Sequence, residues 1–378
     1  MLEEKHKAFL LVKMAKKLYK FRLYPNQEQV TKLHSWLGMS RELYNAALQE
    51  RIGAWKERRI SISYPDQNKS LTEVKQIRPE FATVNSHVLQ DTLQKLDKSF
   101  KAFFRRVKSG EKAGFPRFKG KNRFNSFSFP NTRYKITGKH LDLSRFGKIK
   151  MKQDCEIIGE LKTATIKESC GKWYVSIVVE FTPKVLPKTN QQIGLDVGLK
   201  TFLTDSEGKT VSNERYAERL QKKVRMAQRR VARRQKGSNG RREAVLLLKK
   251  IHERIFNQRN YFQHNLSTEL VKDYDLIAIE KLNIKGLTKG MLAKQVLDAS
   301  WSSFFQMLRY KAENAGKKLI EVNPNGTSQT CICGANVPKI LSQRWHQCDA
   351  CSIECDRDFM SARVVLQRAL NQSVQTLT

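Results

Sequence analysis

Residues 193–204 read IGLDVGLKTFLT: an apolar strand with Asp196 at its centre, a turn carrying Gly198, and a second strand that starts a hairpin meander. An aspartate between apolar strand residues is costly to bury unless it is paired or binds metal. The same pattern recurs at 275–280, DLIAIE, a short buried strand ended by Glu280, and Asp358 opens a last helix in CDRDFMSAR (355–363). Singly, each acid has an ordinary reading: Asp196 forms a turn, Glu280 is a strand-end charge in solvent, and Asp358 is a helix N-cap. Together, in that chain order, a strand Asp, a strand-end Glu and a helix-start Asp can converge on one end of a mixed sheet. Three carboxylates there suit a pair of divalent cations about 3.5–4 Å apart that run in-line phosphodiester hydrolysis.

Outward from these acids, the periodicities separate two architectures. LYKFRL (18–23) has strand period, Pro25 and Asn26 punctuate it, and 27–51 carries apolar residues at helical spacing. A polar loop is expected around 61–69, then one long helix over 84–107 with Val88, Leu89, Leu93, Leu96, Phe100, Phe103 and Phe104 inward. Short strands follow at 140–143, 148–151, 164–167 and 173–181. These predict a small barrel or open sheet, interrupted by a helical insertion. VLPKTN (185–190) reads as a linker. Beyond the meander, 215–264 is helical and cationic, broken at KGSNG (236–240); 300–315 is a helix, 318–322 a strand, and 358–370 the closing helix. Residues 1–15 form an extension, with the start at Met1 or Met14.

Lys and Arg number 71 against 36 Asp and Glu, a net charge of +35 over 378 residues. Such an excess calls for a polyanion, usually nucleic acid. No stretch approaches the 18 apolar residues of a membrane span, so the chain is expected in the cytoplasm, nucleoid-associated when bound to DNA, with no membrane partner. Lys222, Lys223, Arg225, Arg229, Arg230, Arg233 and Arg234, with Lys236, Arg241 and Arg242, make a cationic hairpin with few acids nearby. Phosphate binding is expected there over a merely solvated face. The Phe/Lys/Arg stretch at 115–129 either clamps RNA or builds the core of the β region.

Five of the seven cysteines fall between 331 and 355. Cys331-x-Cys333 and Cys348-x2-Cys351 resemble the two pairs of a zinc ribbon, whose four thiolates enclose Zn²⁺ and staple a segment too small to own a core. The first pair is one residue short of the usual spacing. A strained knuckle, recruitment of Cys355 or His346, a metal-free ribbon and a redox role remain open alternatives.

The series IGLDVGLKTFLTDSEG, HERIFNQRNYFQHNLSTELV, IAIEKLNIKGL, DASWSSFFQMLRYKAENAGKKLIEVNPNGTSQTC and CDRDFMSAR, with YKFRLYPNQEQ and GFPRFKGK upstream, resembles the transposon-encoded TnpB family. These are RNA-guided DNA nucleases related to type V CRISPR effectors. The resemblance implies an α+β multidomain chain: a β-barrel wedge domain (16–30 and 111–186) with a helical recognition insertion (31–110), and a RuvC-like RNase H fold nuclease domain (191–326 and 355–372). A zinc-ribbon, target-nucleic-acid-binding insertion fills 327–354. It further implies a catalytic triad of Asp196, Glu280 and Asp358 on Mg²⁺ or Mn²⁺, and Zn²⁺ on Cys331, Cys333, Cys348 and Cys351. The implied partners are a guide RNA from the transposon end and double-stranded target DNA; a separate transposase of the same element is compatible. Tyr64, Gln90 and Asn131 fall at positions where readers of the motif flanking the target lie. The family pattern D-x-N-A-A departs here to Asp358-Phe359-Met360-Ser361-Ala362, which leaves weakened cleavage open. A non-catalytic RNA-guided repressor is thus the second reading. A tyrosine strand transferase is disfavoured, since no H-x-H motif occurs.

Overall fold

The computed structural model describes residues 14–375 apart from 122 and 341. The expected 1–15 extension therefore falls outside the described residues as far as 13. Two compact units divide between Thr182 and Pro183. No helix among the described residues is long and apolar enough to cross a membrane.

The first unit opens with β1 (Ala15–Tyr24) and α1 (Gln27–Arg58). Asn26 Oδ1 accepts from the Gln29 amide while Gln29 Oε1 accepts from the Asn26 amide, a reciprocal cap that starts the helix directly after Pro25. The expected loop at 61–69 contains a short helix, α2 (Tyr64–Lys69), followed by α3 (Leu71–Ile77). Its signal was local chemistry rather than periodicity: Asp66 Oδ2 accepts from the Ser63 amide and hydroxyl, and Pro65 lies in the first turn. Helix α4 (Ser86–Lys108) buries Val88, Leu89, Leu93 and Leu96, but Phe104 is 60% exposed. At 100° per residue Phe103 keeps near the Leu96 stripe and Phe104 swings out of it.

The strands that follow are β2 (Ser126–Phe129), β3 (Tyr134–Thr137), β4 (His140–Leu143), β5 (Gly147–Lys152), β6 (Glu160–Ser169) and β7 (Lys172–Phe181). They join β1 in one antiparallel sheet ordered β2-β6-β7-β1-β5-β4-β3. The closed barrel becomes an open half-barrel, because the end strands β2 and β3 do not pair with each other among the described residues. Alternation aims Trp173, Val175, Ile177 and Val179 of β7, and Tyr19, Phe21 and Leu23 of β1, at the same core as α1 and α4. Trp36 packs edge to face on Phe146 and near Phe127 and Phe129, with ring centroids 5.5–6.2 Å apart.

The second unit begins with β8 (Gln192–Val197), β9 (Thr201–Asp205) and β10 (Thr210–Ser212), the expected meander. Helices α5 (Tyr216–Arg219), α6 (Gln221–Arg233) and α7 (Asn239–Asp273) precede β11 (Leu276–Glu280). Then come α8 (Ile284–Leu287), α9 (Ala293–Ala299), α10 (Trp301–Ala315) and β12 (Lys318–Val322). The mixed sheet is ordered β10-β9-β8-β11-β12, with β8, β11 and β12 parallel. Phe202, Phe262 and Phe304 interlock on one face beneath α7 and α10. A small two-stranded sheet, β13 (Trp345–Gln347) with β14 (Glu354–Asp356), runs without a loop into α11 (Arg357–Gln375). Helix α11 packs on the opposite face through Val365 and Ala369.

The expected linker at 185–190 is pinned to the sheet. Asp275 accepts from the amides of Thr189 (3.0 Å) and Asn190 (2.7 Å) and from Lys317 Nζ, which also donates to the Pro187 carbonyl. A polar, proline-containing stretch reads as a linker because its anchor lies some 85 residues away. The Lys317 ammonium and the two amides hold the Asp275 carboxyl well below the usual carboxylate range. A depressed acid stabilises the fold above its unfolded pKa, near 3.9, and that contribution is lost as pH falls through the folded value. Asp275→Asn is accordingly expected to melt at a lower temperature than wild type at pH 7 and to converge with it in strong acid. An equal gap at both pH values would show that ionisation of the Asp275 carboxyl contributes nothing to stability.

Candidate active site and cysteine centre

The register of β8 and β11 sets two of the acids side by side. Ile279 pairs with Leu195 and Ala278 with Gly194, so the next residues, Glu280 and Asp196, come level on adjacent strands about 4.8 Å apart. Asp358 stands in the first turn of α11. It is not the cap of that helix: Asp356 Oδ1 accepts from the amides of Asp358 (2.8 Å) and Phe359 (3.3 Å), leaving the Asp358 carboxylate free to face elsewhere.

The Asp196 side chain keeps some exposed surface, yet enough protein surrounds its carboxyl to desolvate it. That burial, with the charges of Glu280, Asp358 and Asp356, pushes it well above the ordinary carboxylate range against the pull of Arg357. Burial also raises Glu280, opposed by a hydrogen bond from Thr327 Oγ1 and by Arg368. Asp358 accepts from Arg357 Nε and Nη2 at 3.1 and 3.0 Å, and Arg344 Nη1 lies 3.5 Å from its other oxygen. Among the described residues the three carboxylates are not gathered within the 4.8 Å that the cysteines achieve. Thr327, Arg344, Asp356 and Arg357 were not singled out from sequence. The DRD triplet was visible, but pairing across 14 to 47 residues leaves no local signal.

The four thiols of Cys331, Cys333, Cys348 and Cys351 all lie within 4.8 Å of one another. Cys331 and Cys351 are 3.5 Å apart and Cys333 and Cys348 3.7 Å, too long for a disulfide. Four ligands at ~2.3 Å from a tetrahedral zinc have edges of about 3.8 Å, so the arrangement fits that ion. The short first knuckle is accommodated by a tight turn. Gly334 donates to the Cys331 carbonyl at φ +90°, and Cys331 donates to the Ala335 carbonyl. Burial works against a Cys348 thiolate, but the amides of Cys351 and Ala350 and the neighbouring thiols outweigh it and bring it down to about 7. Cys355 lies outside the four-thiol group, and His346 Nδ1 sits 2.6 Å from Lys339 Nζ. Met360, where the family has Asn, is buried with Val364 against Cys331 and Cys348. It docks the last helix onto the cysteine centre.

Helices α6 and α7 flank an open groove of about 1000 Å³ lined by Lys223, Arg229, Arg230, Arg233 and Arg234, with Arg254 from α7 and the apolar side chains of Met226, Leu247 and Ile251. Lys222 and Arg225 lie on α6 outside that lining. The ion pairs of the region, Arg215–Glu218 and Arg219–Glu214, stop short of 222, so none of the seven cations is neutralised among the described residues. Arg241 is committed internally, donating to the carbonyls of Val231 and Arg234 that close α6.

In the first unit, Tyr64 OH accepts from Gln94, one turn along α4 from Gln90. Ser128, three residues before the exposed Asn131, donates to Asp91 beside Gln90. The 115–129 stretch divides: Phe127 and Phe129 are fully buried, whereas Phe115 and Phe118 are about half exposed.

Three family models match the chain: "Probable transposase" over residues 176–291, "Cas12f1-like, TNB domain" over 301–365, and "Helix-turn-helix domain" over 14–59. Over that last span the chain builds one strand and one continuous helix. A Streptomyces pristinaespiralis protein named "Putative RNA-guided DNA endonuclease" is 31% identical over 375 residues, covering 96% of this chain and 92% of the relative. "Putative RNA-guided DNA endonuclease InsQ" of Escherichia coli K12 is 27% identical and covers 92% and 91%. A chain from the cryo-EM structure of a Cas12f1-sgRNA-target DNA complex superposes with TM-score 0.60 over 93% of this chain and 98% of that one, at 12% identity, a likeness of fold.

Proposed function

Because this chain belongs to the transposon-encoded TnpB family of RNA-guided DNA endonucleases, we propose that it is itself such an enzyme, cutting target DNA beside a short flanking motif under the direction of a bound guide RNA. The observation that carries the catalytic part is Asp196 near the end of the central strand β8, level with Glu280 on β11 and desolvated there within the field of Glu280 and Asp358. Asp196, Glu280 and Asp358 form the hard oxygen set that would hold Mg²⁺ or Mn²⁺ in a RuvC-like site. When bound, such ions supply the positive charge that makes phosphodiester hydrolysis accessible. The chain's own part is to orient the acids: Thr327 holds Glu280, Asp356 fixes the helix start, and Arg344 and Arg357 sit where a scissile phosphate would bring negative charge. The unpaired cations of the α6–α7 groove would track nucleic-acid backbone. Tyr64, Gln90 and Asn131, in the wedge-like and recognition parts, would read the flanking motif. Residues 327–354 would be the target-nucleic-acid-binding ribbon.

The test is a plasmid carrying the guide match and flanking motif, incubated with the ribonucleoprotein and Mg²⁺. Wild type is expected to cut and Glu280→Ala not to. Equal cutting by both would remove Glu280 from the site. Sequencing the copurifying RNA checks the guide, which should be one abundant species ending in a variable segment.

The second reading, an RNA-guided repressor without cleavage, draws on one observation: Asp358 is engaged by two arginines, which a cation must displace. Gel shift without cleavage on the same target would favour it.

Zn²⁺ on Cys331, Cys333, Cys348 and Cys351 would be structural, since a four-thiolate site leaves no open position. Cys351→Ser is expected to lose about one equivalent of zinc per chain by elemental analysis and to expose 327–356 to protease. Full zinc content in that variant would exclude the assignment.

A further inference from the structure

We propose that a cavity in the first unit is a phosphodiester site for one unpaired nucleotide of the guide RNA. The inference rests on the RNA-guided reading. The cavity, about 280 Å³, lies between α1, α4 and the segment that leads into β2. Three cations line it, Lys95, Lys119 and Arg123, together with the polar residues Ser99, Asn125 and Ser126.

These cations are not equivalent. Lys95 is spent within the protein, 2.7 Å from Asp91 and donating to the Ser126 carbonyl, so it stiffens the wall. Lys119 and Arg123 have no carboxylate within 4.0 Å among the described residues. The backbone of Lys119 is nonetheless fixed at two points: its amide donates to Asn45 Oδ1 at 2.8 Å and its carbonyl accepts from Asn45 Nδ2 at 3.0 Å. Its ammonium lies 5.3 Å from the centroid of Tyr44, the residue before Asn45, over a floor completed by Phe124. A solvated lysine needs no such anchoring. Two cations without a carboxylate, one of them on a pinned backbone, beside a covered aromatic floor and hydroxyls are what an anion with hydrogen-bonding neighbours selects.

The size and the hydroxyls choose among phosphates. The cavity is at the lower end of small-ligand pockets, with room for one backbone unit, which a flexible single strand can lay into it more readily than a stiff duplex. The Ser99 hydroxyl donates to the Lys95 carbonyl and so offers an acceptor, and Ser126 and Asn125 add groups suited to a ribose 2′-hydroxyl, which separates RNA from DNA. Arg123 and Lys119 come from the Phe/Lys/Arg stretch whose deeper phenylalanines build the core, so the segment divides its labour: Phe127 and Phe129 anchor it and the cations before them face the cavity.

The test uses the full chain and the RNA that copurifies with wild type, transcribed in vitro, with binding measured over a KCl series. The Lys119→Ala/Arg123→Ala variant, checked for an unchanged melting temperature, is expected to bind at least tenfold more weakly. Its log K against log salt should be less steep by about 1.4, from two lost contacts on a single strand. Lys119→Arg/Arg123→Lys should keep the slope. Unchanged RNA affinity and slope in the folded double alanine variant would overturn the site. So would a loss confined to duplex DNA carrying the flanking motif. If no RNA copurifies with wild type, the RNA-guided reading falls together with the site; if wild type and the variant bind the copurified RNA equally, only the site falls.

Discussion

Asp196→Ala is expected to abolish DNA cleavage, on the order of 10³-fold or more, while guide and target binding stay within about twofold. The carboxylate stands on a central strand, level with Glu280 and within the field of Asp358, and is desolvated there. Burial and the charges of Glu280, Asp358 and Asp356 outweigh the one opposing cation, Arg357, so among the described residues the balance at this carboxylate is repulsive. Removing it should therefore relieve repulsion. In chelator the variant is expected to melt no lower than wild type, although it is inactive in Mg²⁺. Loss of activity with an unchanged or raised melting temperature separates a chemical role from a structural one. A variant that melts several degrees lower, or that cuts, would contradict the assignment.

Gly194→Ala is expected to cost about 1–3 kcal/mol of stability through overpacking and about 10²-fold in cleavage through displacement of an acid. A Cβ built on Gly194 would lie 2.2 Å from the Ala362 carbonyl, 2.8 Å from Leu366 Cβ and 2.9 Å from the Leu366 amide. Two of these atoms are backbone of α11, so no rotamer change makes room. The helix must move away from β8, and it carries Asp358 one turn upstream of Ala362. Gly194→Val should be worse on both counts. Melting curves and plasmid cleavage check the pair; wild-type behaviour of Gly194→Ala would mean that α11 does not approach β8 this closely. The glycine two residues before the acid of IGLDVG is thus a packing requirement of the last acid.

Periodic features were legible in the sequence because each depends on neighbours. The alternation in 173–181 announced β7, and the helical spacing before Leu48 announced α1. The acids stood out because carboxylates at a strand centre and strand end are expensive, and the cysteines because of their clustering. What escaped was long-range. The strap at 185–190 is held by Asp275, and Glu280 and Asp358 are held by Thr327 and Arg344, each a partner far along the chain. Helix α2 escaped because six residues carry no period, and the open edge of the first sheet because strand order is not written in strand sequence. The phenylalanines of 115–129 divided between core and surface for a similar reason: Phe127 and Phe129 meet Trp36, whose position no local pattern discloses.

The hairpin that holds the cysteines leaves the sheet after β12 and re-enters α11 without a loop, and it takes Thr327 and Arg344 with it. It is therefore not an interchangeable cassette. A chimaera that exchanges this hairpin with a relative also exchanges the groups that aim two of the three acids, so grafts have to be chosen for the residues at 327 and 344 as much as for their cysteines. Hairpin and acids therefore have to be exchanged as one piece.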